Sequence, residues 1–316
     1  MTAELTIPVT VTLTATCTVI ELIEDAAAQL QTAGLSLANG FGQGTLNAFD
    51  EAAWLVLWRL NLPLDDLDLV ANRPVAQSEY ALVATLLRAR IDTRKPLAYL
   101  TNEAWLQGVP FYVDERVIIP RSFIAELIVD ESIDPWLSES THRVLDLCTG
   151  NGSLAVLVAM AYPDVVIDAA DISADALAVA RINIDKHDLA GRITLIESDG
   201  LAECKSQKNG GYDLILCNPP YVNAASMATL PAEFKAEPAL ALASGVDGMD
   251  FIRQLLLTIP GHMSENAVLV LEIGNERDNF ERAFKDHEPR LQPLWFETSG
   301  GPDQVLLLTK QQLSRQ

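Results

Sequence analysis

The sequence predicts an α/β protein. It has a mostly parallel seven-stranded sheet with helices on both faces, preceded by a small helical domain and a β-hairpin. Three observations predict this. After Pro135, apolar strand-like runs alternate with helical runs, the pattern of parallel strands joined by crossover helices. Before about Lys95, apolar residues recur mainly at helical spacing. Between the two lie β-rich segments separated by Gly108 and Pro110. The expected boundaries are 1–96 for the helical domain, 97–120 for the hairpin linker and 121–316 for the sheet domain.

Residues 7–19 alternate apolar side chains with threonine, which suggests an extended arm. Val19, Ile20, Leu22, Ile23, Ala26, Ala27 and Leu30 then recur at helical spacing. Thr18 and Glu21 have the spacing of a capping box, so a helix is expected from about Thr18 to Ala33. Asn39–Gly44 reads as a glycine-rich turn. Further helices are expected over Asp50–Leu60, with Asp50 as its cap, and over Ser78–Ile91, with Tyr80, Val83, Ala84 and Leu87 on one face. Tyr99–Trp105 and Phe111–Ile119 read as a hairpin with a longer loop. Strands follow at Arg143–Cys148, Val165–Ile172, Ile193–Asp199, Tyr212–Cys217 and Ala267–Gly274. Helices are expected at Ser153–Ala161, Ala174–Asp188, Asp250–Leu257 and Glu276–Lys285. Leu294–Thr298 and Gln304–Thr309 are separated only by Ser299–Asp303, which permits an antiparallel pair and not a parallel crossover.

Apolar residues make up 49% of the chain and charged residues 21%, which excludes disordered and low-complexity classes. The net charge of −21 argues against a surface that holds nucleic acid and favours a basic partner. Four scattered cysteines make no disulfide framework, and four histidines show no metal-ligand spacing. No signal peptide and no apolar run of ~18–20 residues is present. The expectation is a reduced, cytoplasmic protein without a bound metal.

Two segments carry chemistry. The first is Val144-Leu-Asp-Leu-Cys-Thr-Gly-Asn-Gly-Ser-Leu-Ala155, an apolar strand running into Gly150-x-Gly152 and then a helix. Glycines there let backbone approach a ligand, and a helix N-terminus offers free N–H groups. Asp171 ends the next strand about 20 residues on, where a carboxylate can accept from both hydroxyls of a ribose. The loop fits two cofactors. Gly150-x-Gly152-x-x-Ala155 matches a relaxed dinucleotide fingerprint, as in a dehydrogenase. Asp146 puts a carboxylate where a cationic amino acid group is better served than a pyrophosphate, which suits S-adenosylmethionine.

The second is Asn218-Pro219-Pro220-Tyr221, closing the strand Tyr212–Cys217. Pro220 biases Pro219 toward an extended conformation, and neither proline donates an N–H. The turn therefore shows acceptors, the Asn218 side-chain oxygen and a main-chain carbonyl, and Tyr221 adds a flat wall. Two acceptors and a wall suit a planar –NH2 group, whose weak nucleophilicity is met by alignment and exclusion of water. Cys148 and Cys217, near the ends of adjacent strands, read as packing residues with no histidine nearby in sequence.

On these residues the chain resembles the class I, Rossmann-like S-adenosylmethionine-dependent glutamine methyltransferases of the HemK/PrmC group. The carriers are Asp146-Leu-x-Thr-Gly-x-Gly152, Asp171-Ile-Ser, Asn218-Pro-Pro-Tyr221, Ile119-Pro120-Arg121, Glu237-Pro-Ala-Leu240 and Gly245-x-Asp247-Gly248. Gly42-Gln-Gly44-Thr, Leu62-Pro-Leu-Asp65, Ala98-Tyr-Leu-Thr101 and Phe111–Val117 are similar to the PrmB-like branch, which acts on large-subunit ribosomal protein L-three. So is Arg121-Ser122, where the release-factor branch has Pro-Arg-Pro-Asp-Thr-Glu. Phe123 departs from the proline usual in that branch.

The resemblance implies that Asp146, Thr149, Gly150 and Gly152 surround the methionine part of S-adenosylmethionine. It implies that Asp171 binds the ribose, that Asp199 lies near the adenine, and that Asn218, Pro219, Pro220 and Tyr221 hold the glutamine amide. The helical domain and hairpin would help recognise a basic ribosomal protein. Rival readings are amino-methylation of a nucleic-acid base, glutamine methylation of a release factor, a dehydrogenase, and an assembly factor that only binds a ribosomal protein.

Overall fold

The computed structural model describes residues 17–37, 40, 41, 44–286 and 291–314. The expected arm over 7–16 and half of the glycine-rich turn at 39–44 lie outside the described residues. The chain forms two compact units, one ending at Thr93 and the other running from Arg94.

The first unit is helical. Helix α1 (Val19–Thr32) starts at Thr18, whose Oγ accepts from the Glu21 N–H while the Glu21 carboxylate accepts from the Thr18 N–H, a complete capping box. Its buried face is Val19, Leu22, Ile23, Ala26, Ala27 and Leu30. Helix α2 spans Ala48–Arg59. Its cap is Asn47 and not Asp50: the Asn47 carboxamide oxygen accepts from the Asp50 N–H at 2.9 Å. A one-turn helix, α3 (Leu67–Val70), has no counterpart in the sequence reading. Helix α4 (Gln77–Thr93) buries Val83 and Leu87 as expected, but Tyr80 and Ala84 are only half-buried. Arg90 completes its inner face, fully buried and donating from Nε to Glu51 of α2 at 2.7 Å.

The second unit opens with α5 (Leu97–Thr101) and a two-stranded sheet, β1 (Ala104–Leu106) with β2 (Val109–Phe111). Here the expected hairpin is corrected. Pro96 at the cap starts a helical turn through Tyr99, and Asn102, at φ +54°, ends it before the strand begins. The connection is two residues, Gln107 and Gly108, both at positive φ, the tight turn that matches strand twist. Residues 112–119 are not a strand. Asp114 accepts from the Arg116 N–H and folds that stretch into a turn. Helix α6 (Ile124–Val129) follows.

The main sheet contains β3 (Arg143–Leu147), β4 (Val166–Asp171), β5 (Ile193–Glu197), β6 (Tyr212–Cys217), β7 (Met263–Glu272), β8 (Leu294–Thr298) and β9 (Gly301–Thr309). Its order is β5-β4-β3-β6-β7-β9-β8. All neighbours are parallel except that β9 runs antiparallel to β7 and to β8. The helices α7 (Ser153–Ala161), α8 (Ala174–Lys186), α9 (Ala224–Thr229), α10 (Asp250–Thr258), α11 (Arg277–Ala283) and α12 (Lys310–Leu313) belong to this unit. Period-two alternation builds two cores. Val144, Leu214, Leu216, Val268 and Val270 face α6 and α7 residues, whereas Leu145, Leu147, Ile215, Leu269 and Leu271 face Ile252, Leu255 and Phe280.

Strand order reverses at β3. The chain steps outward to β4 and β5, then returns to β6 on the other side. A crevice outside the carboxyl ends of the strands is expected at such a reversal. Both chemical segments of the sequence lie there.

Candidate active site

The loop after β3 is held by its own hydrogen bonds. The Thr149 N–H donates to the Ala170 carbonyl at 3.0 Å, and the Gly150 N–H donates to Asp171 Oδ2 at 2.9 Å. Gly152, at φ +79°, caps α7, and a Cβ there would lie 3.1 Å from the Ala180 Cβ. Glycine thus serves both the left-handed backbone and the close approach of α8.

Asp146 is 1% exposed, and its Oδ2 accepts from Thr149 Oγ1 at 2.5 Å and the Ala155 N–H at 3.0 Å. Its Oδ1 is buried without a partner among the described residues. Burial raises this carboxyl to about 6, against the pull of those two donors. Asp171 Oδ1 accepts from the Ser173 N–H at 2.9 Å, and burial raises its pKa too. The Asp171 carbonyl accepts from the Ser198 N–H, which draws the end of β5 and Asp199 to the same rim.

A cavity of about 410 Å³ opens at this rim, within the size range of small-molecule sites. Of the expected site residues, Gly150, Asp171, Asp199, Asn218 and Pro220 line it. Asp146, Thr149 and Gly152 brace the loop from beneath, and Pro219 and Tyr221 are not among the lining residues. The Asn218 carboxamide makes no hydrogen bond among the described residues, so its oxygen is open to a ligand. The expected flat wall from Tyr221 is placed elsewhere: its hydroxyl donates to Glu272 Oε1 at 3.4 Å. Burial raises the Tyr221 pKa far above its ordinary range. Apolar walls come from Ile172, Leu240, Ala241 and Phe251. Among the described residues no histidine lines the cavity and no cluster of metal-ligating side chains occurs.

Several further residues support the site. Asn183 of α8 is fully buried, accepts from the Tyr112 N–H at 2.7 Å and donates to the Asn151 carbonyl at 2.9 Å. It joins the post-hairpin segment to the glycine loop. The signal was an asparagine on the apolar face of a helix. Glu237 accepts from both Arg121 nitrogens, at 2.6 and 2.8 Å, and from the Ile119 N–H. Glu272 ends the apolar strand β7 as Asp171 ends β4, which was its signal. Cys148 lines the cavity at φ +61°, while Cys217 is buried with its thiol raised by burial and by Cys148 beside it.

The residues fit S-adenosylmethionine. Each Asp171 oxygen accepts one N–H and keeps a lone pair for a ribose hydroxyl. Asp146 retains an unspent acceptor under the loop. A pyrophosphate is poorly served by the same arrangement, because the Ala155 N–H near the start of α7 is already taken by a carboxylate.

Residues 131–245 match the family described as methyltransferase small domain. A protein of Bordetella pertussis named ribosomal protein uL3 glutamine methyltransferase is 48% identical over 299 residues, covering 94% of this chain and 96% of that protein. A protein of the same name from Neisseria meningitidis serogroup A is 47% identical, covering 94% of each chain. Among solved structures, the hMettl16 catalytic domain in complex with the MAT2A 3′UTR hairpin 6 is 12% identical. Its TM-score is 0.50, over 75% of this chain and 84% of that one, a likeness of fold alone. No helix among the described residues is long and apolar enough to cross a membrane.

Proposed function

The chain belongs to the family of ribosomal protein uL3 glutamine methyltransferases, and from that membership we propose how its own residues carry out the reaction. It transfers a methyl group from S-adenosylmethionine to the side-chain amide nitrogen of a glutamine in ribosomal protein uL3. When bound, S-adenosylmethionine supplies an electrophilic methyl on a sulfonium.

Asp171 would hold the ribose hydroxyls, Asp199 would lie near the adenine, and Asp146, Thr149, Gly150 and Gly152 would shape the methionine end. Asn218 and a main-chain carbonyl of the Asn218-Pro219-Pro220 turn accept both hydrogens of the glutamine amide. An amide nitrogen is a poor nucleophile because its lone pair is delocalised, so orientation has to supply most of the rate. As nitrogen gains positive charge, the two acceptors strengthen, and the proton leaves afterwards to water. No side-chain base is needed, because the methylated nitrogen, once positively charged, loses its proton readily. The helical unit and the hairpin assist recognition of the basic protein substrate in the cytoplasm.

The observation that carries this reading is the free Asn218 carboxamide at the rim shared with Asp171 and Gly150. The test is incubation with unmethylated uL3 and labelled S-adenosylmethionine, with the methyl located by peptide mass spectrometry. Asn218→Ala is expected to lose at least ~100-fold in turnover, the scale on which a misplaced reacting group costs rate. Near-normal turnover in that variant, or label on a release factor or RNA instead, contradicts the reading.

A further inference from the structure

We infer that Glu272 is a positioning residue for methyl transfer, tying Tyr221 to the Ser122–Phe123 segment so that the proline-stiffened corner keeps Asn218 at the cavity. The inference rests on the reading that this corner grips the amide.

Glu272 is the last residue of β7 and is 2% exposed. One carboxylate gathers three donors from two distant segments. Its Oε2 accepts from Ser122 Oγ at 2.6 Å and the Phe123 N–H at 2.9 Å, and its Oε1 accepts from the Tyr221 hydroxyl at 3.4 Å. The Tyr221 ring has little freedom otherwise. A Cβ on Gly274 would lie 2.5 Å from its Cε2, so the ring packs directly on that backbone.

Between Tyr221 and Asn218 stand only Pro219 and Pro220, whose fixed φ angles leave little slack. A shift of the ring is therefore passed to Asn218. The other end of the tie matters as well. Glu237 holds Ile119 and Arg121 of the same segment, and Val117 and Ile118 just before it line the cavity. Two carboxylates thus hold residues 119–123, and of the two Glu272 also accepts from Tyr221.

The charge state of Glu272 decides the tie. Ionised, it accepts from all three donors. Protonated, it has a hydrogen of its own to donate and loses acceptor capacity. Burial raises its pKa to about 7. The groups facing it are Ser122, the Ile124 and Phe123 N–H groups, Tyr221 and the Arg121 guanidinium, which favours the ionised form and is itself held by Glu237. On the β9 side its register partner is Val305, which does not titrate.

The experiment measures kcat and KM from about pH 6 to about pH 8 for the native enzyme, Glu272→Gln, Tyr221→Phe, the double variant and Asn218→Ala. In the native enzyme kcat should rise about tenfold as pH rises through about 7. Glu272→Gln is expected to lower kcat about tenfold, to leave KM for S-adenosylmethionine within about twofold, and to abolish the pH dependence. Tyr221→Phe should do the same, and the double variant should lose no more than either single one. A merely structural glutamate would not flatten the pH profile at unchanged KM. A native kcat and native pH profile in Glu272→Gln, with Asn218→Ala inactive, overturns the inference. Full activity in both variants overturns the reading of the corner itself.

Discussion

Asp146 and Glu272 are carboxyls that the fold buries without an ion-pair partner among the described residues, and burial raises both above their free values of 3.8 and 4.5. The stability linked to each is intact below the ordinary carboxylate range and is lost as pH rises through about 6 and about 7 respectively. For Asp146 the same ionisation frees an acceptor for ligand. S-adenosylmethionine affinity should therefore increase as pH rises through about 6. In Asp146→Asn the affinity should be about tenfold weaker and flat with pH, a loss equal to about one pKa unit, as titration calorimetry at several pH values would read. Asp171 and Asn218 were legible because each stands at the end of an apolar strand, and Asp146 because it interrupts one. Glu272 also ends an apolar strand and Asn183 interrupts the apolar face of α8, but they meet Ser122 and Tyr112 at 150 and 71 positions away, and no local pattern announces those partners.

At the scale of elements, starts and stops depended on which local bond wins. Asn47 and Asp50 are both good caps three residues apart, and only the structure shows Asn47 accepting from the Asp50 N–H. Asn47→Ala should cost about 1 kcal/mol of stability in denaturant unfolding, and Asp50→Ala clearly less. An equal cost for the two would return the cap to Asp50. Long periodic elements such as α1 and α8 were readable within two residues. The short α5 was not, because five residues give no measurable period, and Pro96 and Asn102 decide its ends. The inner face of α4 carries Val83 and Leu87 as its spacing implies, and the arginine that joins them, Arg90, escapes the sequence for another reason. An arginine reads as solvent-facing until a glutamate on a different helix is found to meet it.

The whole molecule carries a net charge of −21. A basic protein substrate is drawn to such a surface over distances that salt shortens, from about 30 Å at 0.01 M to about 10 Å at 0.1 M. The value of kcat/KM for intact uL3 should fall steeply between those ionic strengths, mainly through KM. With a short uncharged peptide around the glutamine it should change little. Parallel loss for both substrates would remove the acidic surface from the account. The sheet was readable as a class from strand–helix alternation, but its order was not, since alternation is silent on where the chain doubles back across β3.

The carboxylate of Asp171 meets the Gly150 and Ser173 N–H groups, and the ends of β3, β4 and β5 are stitched to one another around it. A mould held by the protein's own hydrogen bonds lowers the ordering cost of its guest. Readiness has a drawback. The spent carrier differs from the fresh one by a single methyl and a single charge, and it fills the same mould. Sustained work then depends on other enzymes clearing that by-product from the cell.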